Sequence, residues 1–179
     1  VACTVKAQGG LKALLKSITV CPVASGFGTA GLTDPLPMAV VNSLAVDSQG
    51  RILIAGTNAG AAQVYRYPVD GLAPTIFAGI PTLVVGNKAL EQKSGRIMLA
   101  GRKTSGGSAG VVFAYQNTGL AADITFGPQG SNGFYALPVN QPVDDMVIDN
   151  YDDIYLVYRD TTVKLIKLTA DGSGLDVDF

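Results

Sequence analysis

The chain has 179 residues, a formal net charge of −1 and no histidine; 47% of its residues are hydrophobic and 15% are charged. A net charge so close to zero offers no basic surface for nucleic acid or anionic lipid, and no apolar run reaches the roughly 18 residues needed to span a bilayer. The 22 glycines and nine prolines indicate short strands joined by tight turns. We therefore expect an all-β protein without a membrane span and without a nucleic-acid partner.

Residues 1–27 are the least regular part of the chain. Leucines at positions 11, 14 and 15 fit helical spacing, but residues 17–20 also fit a strand, and both interpretations stay open. Cys3 and Cys21 are the only cysteines; a disulfide between them and two buried free thiols are the alternatives. The chain begins at Val1, for which a removed signal peptide is one interpretation and a trimmed chain the other.

A phenylalanine recurs along the chain at nearly even intervals. Phe27, Phe77, Phe126 and Phe179 are separated by 50, 49 and 53 residues, and a glycine follows the first three directly or one position later. A period near 50 residues indicates a repeat architecture. It divides the chain into a degenerate half repeat, 1–31, and three repeats, 32–79, 80–127 and 128–179, which we expect to form one domain.

Each full repeat contains a pattern of short strands punctuated by glycine-containing turns. Residues 93–101 match residues 48–56 almost position for position, which indicates the same hairpin in two repeats. The predicted strands are residues 43–47, 51–56, 63–67 and 73–77, then 111–115 and 123–126, then 145–149, 153–157, 162–168 and 175–179. Four short antiparallel strands in about 50 residues are typical of a β-propeller blade.

The repeat pattern resembles a known family. The run Gly-Arg-Ile-Leu-Ile-Ala-Gly at 50–56, a strand with aromatic residues and arginine, an Asp-Gly turn and an Asp-x-x-Phe-Gly end are similar to the delta-60 repeat. That repeat is a propeller-type unit of large bacterial proteins, many of them exported. The resemblance covers residues 41–179 and departs from the pattern at Ala78 and at Asp152-Asp153.

The resemblance implies a propeller-like fold and an exported location, periplasmic, at the cell surface or extracellular, but no defined activity. A closed propeller has about four to eight blades, and this chain has three full repeats and a half. The chain also stops on the repeat mark Phe179. We therefore expect a propeller that is incomplete or that is completed by another chain.

The marks themselves are candidate structural sites. Each phenylalanine is expected to pack between adjacent repeats, while the following glycine lets the chain turn into the next repeat. The residues concerned are Phe27, Gly28, Phe77, Gly79, Phe126, Gly127 and Phe179.

The sequence contains no recognisable catalytic constellation. The lack of histidine removes Ser-His-Asp and Cys-His arrangements and most zinc sites. Gly26-x-Gly28-x-x-Gly31 matches a dinucleotide loop, but the prolines at 35 and 37 forbid the helix that such a loop requires. Asp149, Asp152 and Asp153 are weak candidates for calcium ligands, with turn formation as the alternative explanation.

The leading hypothesis is a non-enzymatic structural or protein-interaction scaffold that uses no cofactor and belongs to a larger assembly of protein chains. One alternative is a cation-dependent, lactonase-like propeller enzyme built on the aspartates. The other is a carbohydrate-binding module that stacks sugars on strand tyrosines. Those tyrosines are Tyr65, Tyr67, Tyr115, Tyr155 and Tyr158.

Overall fold

The computed structural model describes residues 26–29, 32–33, 35–77, 83–103 and 109–179. Within these ranges the protein contains eleven β-strands and no helix, which confirms the all-β prediction. Cys3, Cys21, Gly79 and the segment with two open interpretations at 11–20 lie outside the described residues.

The strands form three antiparallel sheets of consecutive strands. Sheet 1 contains β1 (Val40–Val46), β2 (Ile52–Asn58), β3 (Ala61–Tyr67) and β4 (Thr75–Ile76). Sheet 2 contains β5 (Leu83–Glu91), β6 (Ile97–Lys103), β7 (Gly110–Tyr115) and β8 (Phe134–Ala136). Sheet 3 contains β9 (Val143–Ile148), β10 (Ile154–Arg159) and β11 (Val163–Leu168), with β10 in the centre. None of these described sheets closes on itself.

The first hairpin of every sheet closes in the same way. In sheet 1 the Asp47 N–H donates to the carbonyl of Arg51, and the Gly50 N–H donates to the carbonyl of Asp47. The same two bonds form in sheet 2 with Gln92, Gly95 and Arg96, and in sheet 3 with Asp149, Asp152 and Asp153. The fourth residue of each turn has a positive φ, which is 76° at Gly50 and 68° at Asp152. Aspartate is one of the few residues that adopt this conformation, so the turn survives the loss of glycine.

Sheet 2 lies between the other two sheets, and the alternation of its side chains fills two separate cores. On β6, Ile97 and Leu99 face sheet 1, while Met98 and Ala100 face sheet 3. In the first core, Ile97 and Leu99 pack with residues of sheet 1, namely Leu53, Ala55, Ala62 and Val64. In the second core, Met98 and Ala100 pack with residues of sheet 3, namely Val143, Met146, Ile154, Leu156, Tyr158 and Leu168. All four named β6 side chains have no exposed surface, as is expected for a strand that is covered on both faces.

The fourth strands differ from the prediction. Residues 123–126 form a turn in which the Asp123 carboxylate accepts the Thr125 N–H at 3.0 Å and the Phe126 N–H donates to the carbonyl of Asp123 at 3.0 Å. The fourth strand of sheet 2 is instead β8, which comes after Phe126 in the chain. Residues 175–179 repeat that turn at Asp176, so the described part of sheet 3 has three strands rather than four. An aspartate that binds amides two positions ahead favours a turn over a strand.

Candidate functional site

The phenylalanine marks join consecutive repeats. The Phe77 ring, at the end of sheet 1, lies on Gly119 in the turn that follows β7 of sheet 2. A Cβ atom added to Gly119 would lie 2.5 Å from the Phe77 ring. Phe77 is 1% exposed, so its ring is buried in this joint and not at the surface.

The same joint occurs twice more in the described chain. Phe126 lies on Gly172, in the turn after β11, and Phe27 lies on Gly71, in the turn after β3. Gly71, Gly119 and Gly172 all have positive φ values between 68° and 74°, a conformation that disfavours any residue with a Cβ. At each of these three joints, a repeat gives a ring to the next repeat, which presents a glycine turn to it.

Hydrogen bonds from the residue after the phenylalanine complete the joint. The Gly28 N–H donates to the carbonyl of Asp70 at 2.5 Å, and the Gly127 N–H donates to the carbonyl of Asp171 at 2.8 Å. Both acceptors directly precede the glycine under the ring. The glycine after each mark thus has a place in the joint as well as a role in the turn.

An arginine lies over each of two of the rings. The Arg66 guanidinium lies 5.2 Å from the Phe77 ring centre, and Arg96 lies 5.6 Å from that of Phe126. Each arginine also donates across the joint, Arg66 to the carbonyl of Asn117 at 2.5 Å and Arg96 to the carbonyl of Ala170 at 3.3 Å. Burial, followed by the charge of Arg51, lowers the pKa of Arg66 from its ordinary value. Both cations stabilise joints between repeats.

Carboxylates of one repeat also cap the first hairpin turn of the preceding repeat. Glu91 of sheet 2 accepts the Ser48 N–H at 2.6 Å in sheet 1. Asp152 of sheet 3 accepts the N–H groups of Lys93 and Ser94, at 2.6 and 3.1 Å, in sheet 2. The other Glu91 oxygen, Oε1, is buried without a hydrogen bond and lies 3.9 Å from Arg51 Nη2, so the attraction between these two groups is electrostatic.

The candidate calcium ligands are close in sequence but have separate partners. Asp149 accepts the N–H groups of Tyr151 and Asp153, at 2.7 and 3.1 Å. Burial opposes ionisation of Asp149, but these amide donors outweigh it and lower its pKa. Asp152 caps the neighbouring turn, and Asp153 pairs with Lys167 at 2.8 Å. Among the described residues, no three His, Cys, Asp or Glu side chains are grouped to hold a metal ion.

Lys167 links the last described turn, at Asp176, to the turn between β9 and β10. Its Nζ lies 2.8 Å from Asp153 and 2.8 Å from Asp176. The two carboxylates raise the pKa of Lys167, and the hydrogen bond from Lys167 lowers the pKa of Asp176. Lys167 therefore keeps its positive charge at neutral pH and bridges the two carboxylates.

Most of the strand tyrosines belong to the interior. Tyr65, Tyr67 and Tyr115 are at most 2% exposed, and Tyr158 is 8% exposed. Burial raises the pKa of the Tyr115 phenol. Tyr155 alone of the five lies on the outer face of sheet 3, where its ring meets Phe179 edge to face at 5.5 Å.

Both outer sheet faces carry exposed apolar side chains. On sheet 1, Leu44 and Val46 are each 67% exposed. On sheet 3, Val147 and Leu165 are 58% and 53% exposed and line a shallow cavity of about 60 Å³. We call the surface of Val147, Tyr155, Val157 and Leu165 the end face.

The phenylalanine marks could be recognised in the sequence, but the glycines against which they pack were not predicted. Gly71, Gly119 and Gly172 follow Phe27, Phe77 and Phe126 by 44, 42 and 46 residues. These glycines therefore recur with nearly the same period as the phenylalanines, and this recurrence is the sequence signal that could have identified them. The described residues include no helix long and apolar enough to cross a membrane. No family model and no curated protein matches this sequence, so the resemblance to the delta-60 repeat stays a prediction that rests on the residue pattern.

Proposed function

We propose that the protein is a non-enzymatic scaffold whose stacked sheets bind other protein chains and that needs no cofactor for this role. In this proposal the sheets are blades of a propeller-type array that is incomplete within this chain. The repeated hairpin turns and Phe–Gly joints support the proposal, because a propeller is built by repeating one sheet with the same contact between neighbours.

The observation that carries the proposal is the exposure of apolar side chains on both outer sheet faces. Leu44 and Val46 lie on one, and Val147 and Leu165 lie on the other, and each is more than half exposed. Grouped apolar side chains on a sheet face mark a surface for another protein more often than a site for a small polar ligand.

The polar groups of one described surface cavity, and the aspartates of the fourth repeat, have partners within the protein. A surface cavity of about 230 Å³ is lined by Arg96 and Asp123, but these two side chains pair with each other at 2.8 Å. Small-molecule sites usually occupy roughly 300–1,000 Å³, with polar groups directed inward. The aspartates of the fourth repeat bind amides and Lys167. These features favour a scaffold over a cation-dependent enzyme.

We also propose that the protein acts outside the cytoplasm, in the periplasm, at the cell surface or in the medium. The support for this location is the likeness of the residue pattern to a repeat of exported bacterial proteins.

Chemical crosslinking with mass spectrometry, in the cells that make the protein, tests the scaffold role. Lys164 lies exposed on β11 beside the end face and is a suitable reporter. We expect crosslinks from Lys164 to one or a few defined proteins. A double variant, Leu44→Glu with Leu165→Glu, is the matched control and should lose them. If crosslinks of the wild-type chain to other proteins do not exceed those of the double variant, the scaffold role is wrong.

A further inference from the structure

The loop between Phe126 and β8 contains the only asparagine of the chain that a glycine follows. Asn132 precedes Gly133, whereas every other asparagine precedes a residue with a side chain. Asn132 has a φ of 56° and Gly133 has a φ of 87°. Asparagine is one of the few residues with a Cβ that adopt this conformation, and Asn-Gly is the preferred pair where a turn requires it twice. The backbone of the turn therefore explains why these two residues stand together.

The two groups that can react with each other in an Asn-Gly pair have no partners within the described part of the chain. The side chain of Asn132 is exposed and makes no hydrogen bond there, and the N–H of Gly133 makes none either. Asn150 is equally exposed in another turn, but the N–H of the following Tyr151 donates to the Asp149 carboxylate at 2.7 Å. Only the first of these two turns leaves the following amide free.

We propose that Asn132 is a site of spontaneous deamidation, in which water replaces the side-chain amide. This inference is independent of the proposed scaffold function. The Gly133 nitrogen gives up its proton to a base and attacks the Cγ of Asn132, so that a bond from this nitrogen to Cγ forms. The bond from Cγ to Nδ2 breaks, ammonia leaves, and a cyclic succinimide remains. Glycine favours this step because no Cβ hinders the attacking nitrogen.

Water then opens the succinimide at either of its two carbonyl groups. If the bond between Cγ and the Gly133 nitrogen breaks, an ordinary aspartate results. If the bond between the main-chain carbonyl carbon and that nitrogen breaks, the product is isoaspartate, whose main chain runs through the side-chain CH₂. The two steps together consume one water and release one ammonia, which takes up the proton of the new carboxyl group. Both products therefore carry a negative charge that asparagine lacks.

The two products differ in their effect on the turn. Aspartate tolerates a positive φ, as Asp152 does at 68° in this protein, so it preserves the turn. Isoaspartate lengthens the main chain by one CH₂ group directly before Gly133. Space there is short, because a Cβ added to Gly133 would lie 2.9 Å from the carbonyl oxygen of Asp123. The longer chain therefore displaces Gly133, whose own carbonyl accepts the Ala114 N–H at 2.9 Å.

Strand β8 begins directly after Gly133 and completes sheet 2. Phe134 of β8 pairs with Phe113 of β7, and its carbonyl oxygen lies so close to Gly127 that a Cβ at position 127 would overlap it. Displacement of Gly133 therefore loosens β8 from β7. It also uncovers the edge of β7, whose backbone groups then lack their strand partner.

Peptide mapping by mass spectrometry, after incubation of the full chain at 37 °C and mildly alkaline pH, tests the modification. We expect deamidation at Asn132 to be at least about tenfold faster than at Asn150, a ratio that corresponds to a barrier lower by about 1.4 kcal/mol. The rate should rise with pH, because a base removes the proton of Gly133. Fragment spectra should identify isoaspartate among the products. Equal rates at the two asparagines, or the absence of isoaspartate, would overturn the proposal.

Hydrogen exchange of the peptide that contains β8 tests the structural effect, with two matched variants. Asn132→Asp carries the new charge on an ordinary main chain, and Asn132→Gly keeps the positive φ without an amide. Exchange in β8 should become faster in the incubated wild type, in proportion to its isoaspartate content. Freshly prepared Asn132→Asp and incubated Asn132→Gly should both exchange like the fresh wild type.

Three outcomes of the exchange experiment would contradict the proposed effect. Unchanged exchange in isoaspartate-containing wild type would show that the turn absorbs the longer main chain. Fast exchange in fresh Asn132→Asp would assign the effect to the charge. Fast exchange in incubated Asn132→Gly would assign it to changes elsewhere in the chain.

Discussion

At the scale of single residues, the protein depends on a ring and a glycine that are more than forty positions apart. Phe126 has no exposed surface, and Gly172 beneath it has a φ of 68°. The ring removes apolar area from water, while the glycine leaves room for it and adopts a conformation that other residues resist. The reason for a glycine at position 172 is visible only in the fold, where the Phe126 ring packs on it.

Replacing Phe126 by alanine should lower the free energy of unfolding by about 3–5 kcal/mol, because a fully buried ring is lost and a cavity remains. Urea unfolding measures the loss. Ile124→Ala is the control, since Ile124 is 73% exposed in the same turn and should change stability by no more than about 0.5 kcal/mol. Equal effects of the two substitutions would show that Phe126 contributes no more than a surface residue.

Replacing Gly119 by alanine should destabilise the protein in two ways. Its φ of 74° disfavours alanine, and the new Cβ would lie 2.5 Å from the Phe77 ring. Gly60→Ala separates the two effects, because Gly60 has a φ of 78° and no atom within 4 Å of an added Cβ. We expect Gly60→Ala to cost about 1–2 kcal/mol and Gly119→Ala about 1–3 kcal/mol more in urea unfolding. Equal costs would mean that the ring moves aside freely.

At the scale of the element, the turns were easier to predict than the edge strands. The matched runs at 48–56 and 93–101 indicated one hairpin, and the structure gives both the same backbone bonds. Strand β5 has register shifts near Val85 and Gly86, which interrupt the alternation of inward and outward side chains. An alternating sequence pattern therefore could not predict this strand. Strand β8 is three residues long between Gly133 and Pro138, too short for any pattern. Tertiary pairing creates such strands, and local sequence does not specify them.

The carboxylate turn at Asp176 makes stability depend on pH. Its hydrogen bond from Lys167 lowers the pKa of Asp176, so the folded state is favoured above the unfolded pKa of about 3.9. This contribution is lost as the pH falls through the lower, folded pKa. Urea unfolding at pH 7, 5 and 3 should therefore show a smaller loss on acidification for Asp176→Asn than for the wild type. Asp144→Asn, an exposed position on β9, is the control. An identical loss for Asp176→Asn and the wild type would contradict the argument.

At the scale of the whole molecule, the order of the sheets determines where stability is concentrated. Sheet 2 contributes one face to each of the two cores, whereas sheets 1 and 3 each contribute one face to one core. The sequence indicated this stacking through its 50-residue period, but it could not identify which faces remain open. That depends on how many repeats are present and on their neighbours, which a residue pattern does not contain.

Amide hydrogen exchange should follow this order. We expect the slowest exchange in β6 and β7, since both faces of these strands are buried, and faster exchange in β11, an edge strand with exposed Val163 and Leu165. Mass-spectrometric exchange at peptide resolution measures the difference. If β11 exchanges as slowly as β6, this account of the cores is wrong.

The joint of Phe77 with Gly119 also has a consequence for how such a chain can change in evolution. At each of the three described joints, one repeat donates a ring and the next repeat presents the glycine turn, so the two halves of the contact are encoded 42 to 46 residues apart. Duplication or loss of one whole period leaves a matching ring and seat at the new boundary, wherever the gene is cut. An insertion much longer than the few residues by which these spacings differ, but shorter than a period, misaligns them. Recombination between repeats can therefore lengthen or shorten this array by whole units while each remaining contact is preserved.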